Sequence, residues 1–441
     1  MNSPLWRRIA LFIVLCISLP ETPARAQLNK AFSDIFNEIL VVRLQRSGSP
    51  GQHGSHFLES ATRANSELVP ALNGLISGNV SSFPLSSTAG GVLFDFSTGQ
   101  PVRVAESMGP ILAENAKPLG KGKILLEANY TYLDLVQFRG LPTDQMLFTF
   151  THLDVTNDGT LGDNPNEDDV IDLFMDLHAQ AGIGAVVATM GVTNDLDVSL
   201  AVPIVTVRLN GTARAVINSY TFGRLGHANH LFAGDTLRPI LSTEVPYSQT
   251  ATGLGDVAVR LKYSLSRGGS IDLATLVDVR LPTGKKEEFL GSGNTTVRLW
   301  AILSKRAGDF TPHLNLGYAH KAAPYQSDAV EFRAGFDSKL TTSFTWAVDI
   351  LGQIDVNPDE AIKLAPGSVN LINLVPGGQA ISRVSLSNIP DRDNDNAFSA
   401  SLGFRYAPSD QVMLFGNVLL PMNDGGLRAH VAPTVGLSIS L

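Results

Sequence analysis

From Lys121 to the last residue, the apolar side chains of this chain recur at every second position in one segment after another. A period of two marks a strand whose two faces meet different surroundings, because successive side chains point to opposite sides of the sheet. The first segment, 121–137, sets Ile124, Leu126, Ala128, Tyr130 and Tyr132 on one face and Glu127, Asn129 and Thr131 on the other. The second, 170–190, sets Ile171, Leu173, Met175 and Leu177 against Asp172, Asp176, His178 and Gln180. Ten more follow, at 196–209, 256–264, 271–281, 295–305, 311–320, 329–337, 343–355, 397–406, 412–421 and 431–441. The total of about 12 is even, and the segments reach the ~9–11 residues that a tilted strand needs to cross a bilayer.

The connections alternate in length. Short turns at 193–195, 267–269, 307–308, 340–341 and 408–410 are interleaved with long polar stretches at 139–169, 210–252 and 356–396, and with shorter ones at 284–294, 321–328 and 422–428. Short turns on one side and long loops on the other are the pattern of an outer-membrane barrel. The expected fold class is therefore all-β, an antiparallel transmembrane β-barrel of about 12 strands with a small helical segment before it. A soluble sandwich also alternates, but it would leave edges that a closed ring removes. No later stretch approaches ~18 consecutive apolar residues, which excludes a bundle of membrane helices.

Residues 1–26 read as a signal peptide: Arg7 and Arg8 precede the apolar run 9–19, and Ala24, Arg25 and Ala26 form a small-residue cleavage site. Cys16, the single cysteine, leaves with it, so disulfides and thiolate metal sites cannot organise the mature chain. The leader also removes three arginines and one glutamate from totals of 33 basic and 41 acidic residues, leaving ten more acids than bases. Nucleic acid is accordingly not an expected partner. In the segment 27–120, Phe32, Ile35, Phe36, Ile39 and Leu40 recur at helical spacing, as do Phe57, Ala61, Ala64, Leu68, Leu72 and Leu75. Two amphipathic helices and a connector are expected there, as a hatch in the barrel or a dock in the periplasm, with the barrel itself over 121–441. The final alternation of Val435, Leu437, Ile439 and Leu441 resembles the signals read by the barrel-assembly machinery, with Leu441 where an aromatic is usual.

Several turn motifs carry a family resemblance. They are the stretches 83–91 (FPLSSTAGG), 109–114 (GPILAE), 191–198 (GVTNDLDV), 252–256 (TGLGD), 281–284 (LPTG) and 290–293 (LGSG). In this order they resemble the outer-membrane channel proteins of the meta-pathway phenol-degradation and FadL-like transporter type. The resemblance implies passive transport of hydrophobic or aromatic small molecules across the outer membrane, and it assigns no residue-level site.

Carrying the alternation through the strands turns Arg260, Lys262, Asp278, Arg280, Arg298, Glu331, Arg333, Asp337 and Asp349 inward. Against lipid each would cost ~2–4 kcal/mol near the midplane, which fixes that orientation. Neighbouring strands lie ~4.8 Å apart, so opposite charges can pair around the wall. Two readings stay open: a salt-bridged lumen that makes the barrel rigid, or a charged constriction that selects solutes.

The loop 154–169 opens with Asp154, Thr156 and Asp158 at alternate positions and Gly159 at the sixth, like the start of an EF-hand loop, although Pro165 stands where the bidentate glutamate belongs. It is a candidate Ca2+ site and the one cofactor considered. His178 and His313 are expected on inward faces, and no nucleophile elbow or HExxH spacing occurs, so no enzyme is expected. Tyr132, Tyr263, Tyr318 and Tyr406 suit an interfacial girdle. The partners expected are outer-membrane lipid and lipopolysaccharide, the assembly machinery and a small hydrophobic solute. The competing class is an interaction barrel with a filled lumen and partner-binding loops.

Overall fold

The computed structural model describes residues 27–46, 57–84, 92–95, 100–103, 108–152, 154, 158–162, 167–268, 271–322, 325–356, 362–375, 378–409 and 412–439; the expected leader lies outside them. Twelve strands close into one antiparallel ring: β1 (Lys123–Phe138), β2 (Val170–Gly191), β3 (Leu196–Asn218), β4 (Ser242–Leu254 continued by Ala258–Ser266), β5 (Asp272–Arg280), β6 (Thr296–Ser304), β7 (Phe310–Lys321), β8 (Ala329–Thr341), β9 (Phe344–Asp355), β10 (Ala397–Tyr406), β11 (Val412–Pro421) and β12 (Ala432–Ile439). Each strand pairs with the next, and β12 returns to β1 with Thr434 opposite Thr131 and Leu437 opposite Ala128. All twelve segments read from the alternation are strands of this ring. The short turns gather at one end, the turn end, and the long connections at the other, the loop end.

Around the membrane-facing belt the strands present Leu261, Leu299, Leu316, Ile350, Leu402 and Val435, all exposed. Tyr263, Phe310, Phe404 and Tyr406 ring the turn end, while Tyr130, Tyr132 and Tyr318 mark the opposite rim. Aromatic rings at both borders of an apolar belt are what a bilayer selects, since each ring offers an apolar body and a polar tip.

β2 has 22 residues and β3 has 23, whereas a tilted strand needs only ~9–11 to cross a bilayer, so their upper halves stand clear of the membrane. There the polarity of the wall inverts. Leu173, Met175, Leu177, Leu209, Ala213 and Ile217 point inward and are buried. Asp172, Asp176 and Gln180 face outward, partly exposed, with Arg208 and Arg214 exposed beside them. The expectation of an inward His178 is corrected by this inversion. His178 is exposed on the outer face, 3.0 Å from Asp176, because that part of β2 is bathed in water and not lipid. The sequence reading also ended β3 at Leu209 and began β4 at Asp256. The structure extends the pairing from Ser242 opposite Val216 to Leu254 opposite Ile204.

The N-terminal helices fill the cup that this wall makes. Helix α1 (Ala31–Asn37), with a 3-10 turn before it and a wider helical stretch, Glu38–Arg43, after it, buries Phe32, Ile35, Phe36, Ile39 and Leu40. Helices α2 (Leu58–Arg63) and α3 (Val69–Ser82) are joined through the wide turn Ala64–Leu68, next to Pro70, whose missing N–H cannot serve the preceding helical turn. These helices form one hydrophobic cluster with the inner wall, and Phe36 meets Phe150 edge-on with ring centroids 5.8 Å apart. A fully buried phenylalanine contributes ~1.5–3 kcal/mol, so a few such rings hold the cap.

Polar ties complete the cap. Asp169 accepts from Thr221 N at 3.1 Å and pairs with His230 Nδ1 at 2.9 Å, and Arg224 reaches Asp168 at 2.8 Å. Burial raises the Asp169 pKa, but the hydrogen bonds and charge of His230 and the bonds from Thr221 outweigh it and hold the carboxyl below its usual value. At Asp168 burial prevails over Thr221 and Arg224, and the carboxyl is pushed up.

Candidate functional site

Residues 108–119 run inside the barrel near the turn end as a strap in no regular secondary structure, with Ile111, Leu112, Ala113 and Ala116 buried. Such a segment has no ladder to satisfy its backbone, so the groups must find partners elsewhere. Here inward side chains supply them. Met108 N donates to Thr345 Oγ1 at 3.3 Å, and Arg405 donates to Pro110 O at 2.8 Å. Arg333 donates to Leu112 O. Asn315 spans both backbone groups of Glu114, accepting from its N at 2.7 Å and donating to its O at 2.9 Å. Ala116 N donates to Ser304 Oγ at 3.2 Å, and Leu119 N donates to Asp197 Oδ2 at 3.0 Å. Gly403 admits the strap: a Cβ there would sit 2.3 Å from Ile111 Cδ1.

The nine charged residues expected inside lie on the inner wall, and two of their pairs, Arg260–Asp278 and Lys262–Asp197, follow the strand register. Arg260 reaches Asp278 at 2.9 Å and Glu114 of the strap at 3.4 Å. Lys262 lies 3.6 Å from Asp197, Arg280 3.8 Å from Asp278 and Arg298 3.4 Å from Glu331. Arg280 also bonds Ser81 O and, at 3.0 Å, Phe83 O, tying the end of α3 to the wall. His313 sits between Asp349, 2.5 Å from Nε2, and Asp337, 3.5 Å from Nδ1. Both of its nitrogens face carboxylates.

Sequence reasoning missed Glu114, Asn315, Arg405, Lys321 and Arg428. The first belongs to the strap, which has no periodicity. Asn315, Lys321 and Arg405 sit at inward positions and would have emerged had the same alternation been scanned for all polar groups up to the strand ends.

Beneath α3, against the inner wall of the barrel, lies a cavity of about 260 Å³. One part of its wall is apolar, from Leu133, Leu135, Trp300, Phe332, Leu351 and Leu419. The other part carries Arg280, Arg298, Lys321, Arg333 and Arg428 against three acids, Glu331, Asp355 and Asp395. Arg333 stacks over Trp300 at 4.6 Å, and the indole rests over Gly317, where a Cβ would collide with it at 2.6 Å.

In the candidate calcium loop, Asp154 accepts from Gly159 N and Asp158 from Thr160 N, both at 2.8 Å, while Thr156 lies outside the described residues. Among the described residues no group of three or more His, Cys, Asp or Glu is arranged to hold a metal.

Fold and lumen together define a transmembrane barrel with an internal strap and a helical cap. Residues 153–357 match the family described as "Putative MetA-pathway of phenol degradation", so the resemblance drawn from the turn motifs holds over this stretch. Among solved structures, the chain is similar to the COG4313 outer membrane channel from Pseudomonas putida F1, at 11% identity over 74% of this chain and 97% of that one, with a TM-score of 0.40. It is also similar to a Pseudomonas aeruginosa FadL homologue (10% identity, 71% and 89% covered, TM-score 0.31) and to the Ralstonia pickettii toluene transporter TbuX (11% identity, 82% and 100% covered, TM-score 0.27). No match was found among curated proteins.

Proposed function

We propose that this protein is an outer-membrane channel for passive passage of small hydrophobic or aromatic compounds, with its loop end outside the cell and its turn end in the periplasm. One observation carries the reading: the half-open, partly apolar cavity beneath α3, inside a barrel whose outer belt suits lipid. A solute enters past the cap, rests in the cavity and leaves through the strap region or sideways into the bilayer. Passage therefore requires α3 or the strap to shift. The match to a phenol-degradation family runs the same way.

The test is uptake of a neutral monoaromatic compound at low concentration by cells making the full chain, against cells carrying an empty vector. Initial uptake several-fold faster in the first supports a channel; equal rates overturn it. The dense clamp on the strap favours a second reading, a filled barrel that presents the cap and loops to partners. That reading predicts equal uptake and unaltered single-channel silence when residues 27–83 are removed.

A further inference from the structure

We infer that the cavity under α3 is a binding site for an amphipathic organic anion, of the monoaromatic carboxylate class, and that Lys321 supplies its charge contact. The inference deepens the channel reading by naming the class of solute. At about 260 Å³ the cavity lies near the low end of ligand sites, which hold ~300–1,000 Å³, so its scale is that of one small molecule.

Three observations point to an anion. Cations outnumber acids in the lining by five to three. The acids are partly spent: Asp395 is held bidentately by Arg139 at 2.8 and 2.9 Å, and Glu331 faces Arg298 at 3.4 Å. The cations are less well served. Among the described residues Arg428 binds only neutral oxygens, Phe398 O at 2.7 Å and Ser399 Oγ at 2.6 Å. One guanidinium nitrogen of Arg298 is buried with no hydrogen-bond partner among the described residues.

Lys321 is the sharpest case. It is 8% exposed, lines the cavity, and among the described residues its ammonium makes no hydrogen bond or ion pair; the like charge of Arg298 repels it, and Glu331, Asp355 and Asp328 attract it only from farther away. A buried cation is costly unless something pairs with it, and a ligand carboxylate would do so. The apolar side of the cavity supplies the rest of the recognition. Leu133, Leu135, Leu351 and Leu419, with Trp300 held under Arg333, form a surface that a ring can cover, whereas a hydroxylated anion would leave its polar groups unpaired there.

Isothermal titration of the purified full chain in detergent with benzoate, benzyl alcohol and glucuronate tests this. These probes carry charge and ring, ring alone, and charge alone. Benzoate binding roughly tenfold tighter than either of the others is expected, the order of one charge-assisted hydrogen bond. Lys321→Gln should erase most of that margin and Arg428→Gln part of it. The three-probe comparison on the unaltered chain stands even where a variant misfolds. Equal binding of benzyl alcohol and benzoate overturns the charge contact, and equal binding of glucuronate overturns the apolar one. No binding of any probe by a chain that still speeds uptake of a neutral aromatic overturns this site and leaves the channel reading intact. Absent uptake breaks the channel reading itself.

Discussion

The lower and upper halves of β2 share one backbone and one period, yet their outer faces are built to opposite rules. Between Gly182 and Gly191 the strand turns Val186 and Met190 outward and Thr189 inward; between Val170 and Ala179 it turns Leu173, Met175 and Leu177 inward and Asp172, Asp176 and His178 outward. The inner face keeps to the odd-numbered residues throughout, so no register slip separates the halves. What changes is the outer medium. Against lipid the outer face is apolar, and against water it is polar, leaving the apolar residues to the inside, where α1 and α3 give them something to cover. Alternation thus reports that a strand has two faces, and the surroundings decide which face is which.

Substitutions can break that division. Phe36→Ala empties a fully buried position of the cap and should cost ~3–5 kcal/mol there, read as faster proteolysis within residues 27–83 while the heat-modifiable barrel band on a gel stays unchanged. Loss of the band as well would mean that cap and barrel form one cooperative unit. Leu316→Arg, on the outer belt, should cost ~2–4 kcal/mol and lower the yield of assembled barrel.

Asp169→Asn keeps the shape of the cap pair but removes its charge, for a loss of ~1.5–3 kcal/mol, seen as faster hydrogen exchange over 219–231. Because the folded carboxyl of Asp169 lies below its usual value, its contribution is complete above the unfolded pKa and fades as pH falls through the folded one. Asp168, pushed upward, works in the opposite sense, so Asp168→Asn should loosen the cap less than Asp169→Asn at neutral pH. Smallest of all, Ser248→Arg on the outer face of the upper wall should stay within ~0.5 kcal/mol, since that face already meets water. A large penalty there would move the membrane border upward and undo the comparison.

The ring itself was legible because each strand carries its own alternation, a property local to a few residues. The upper part of β4 was not. In Ser242–Leu254 the outer face is mostly polar and the inner face interrupts Val245, Tyr247 and Ala251 with Thr243, Gln249 and Gly253, so the alternation is weak and its long ladder with β3 marks it as a strand. His178 was misplaced for the related reason that one segment cannot reveal where the membrane ends. The inward charges followed from the alternation, but their purpose did not. Arg333, Asn315 and Arg405 each serve a carbonyl or amide of residues 110–114, more than 200 positions away in the chain. No short motif encodes such a partner.

The path of the chain through its own ring bears on how the molecule is made. Phe83, held by Arg280, lies at the loop end; Val92–Asp95 pairs with Ile124 and Lys123 at the turn end, beside the seam where β12 meets β1. The helical cap thus sits at one mouth of the ring, and the segment Val92–Asp95 that follows it in the chain sits at the other. A finished hoop cannot be threaded by a folded helix bundle, so the first part of the chain to be synthesised has to be passed across before the last strand zips shut. Closure of the β12–β1 seam is then a point of no return: whatever has not crossed by then stays on the wrong side.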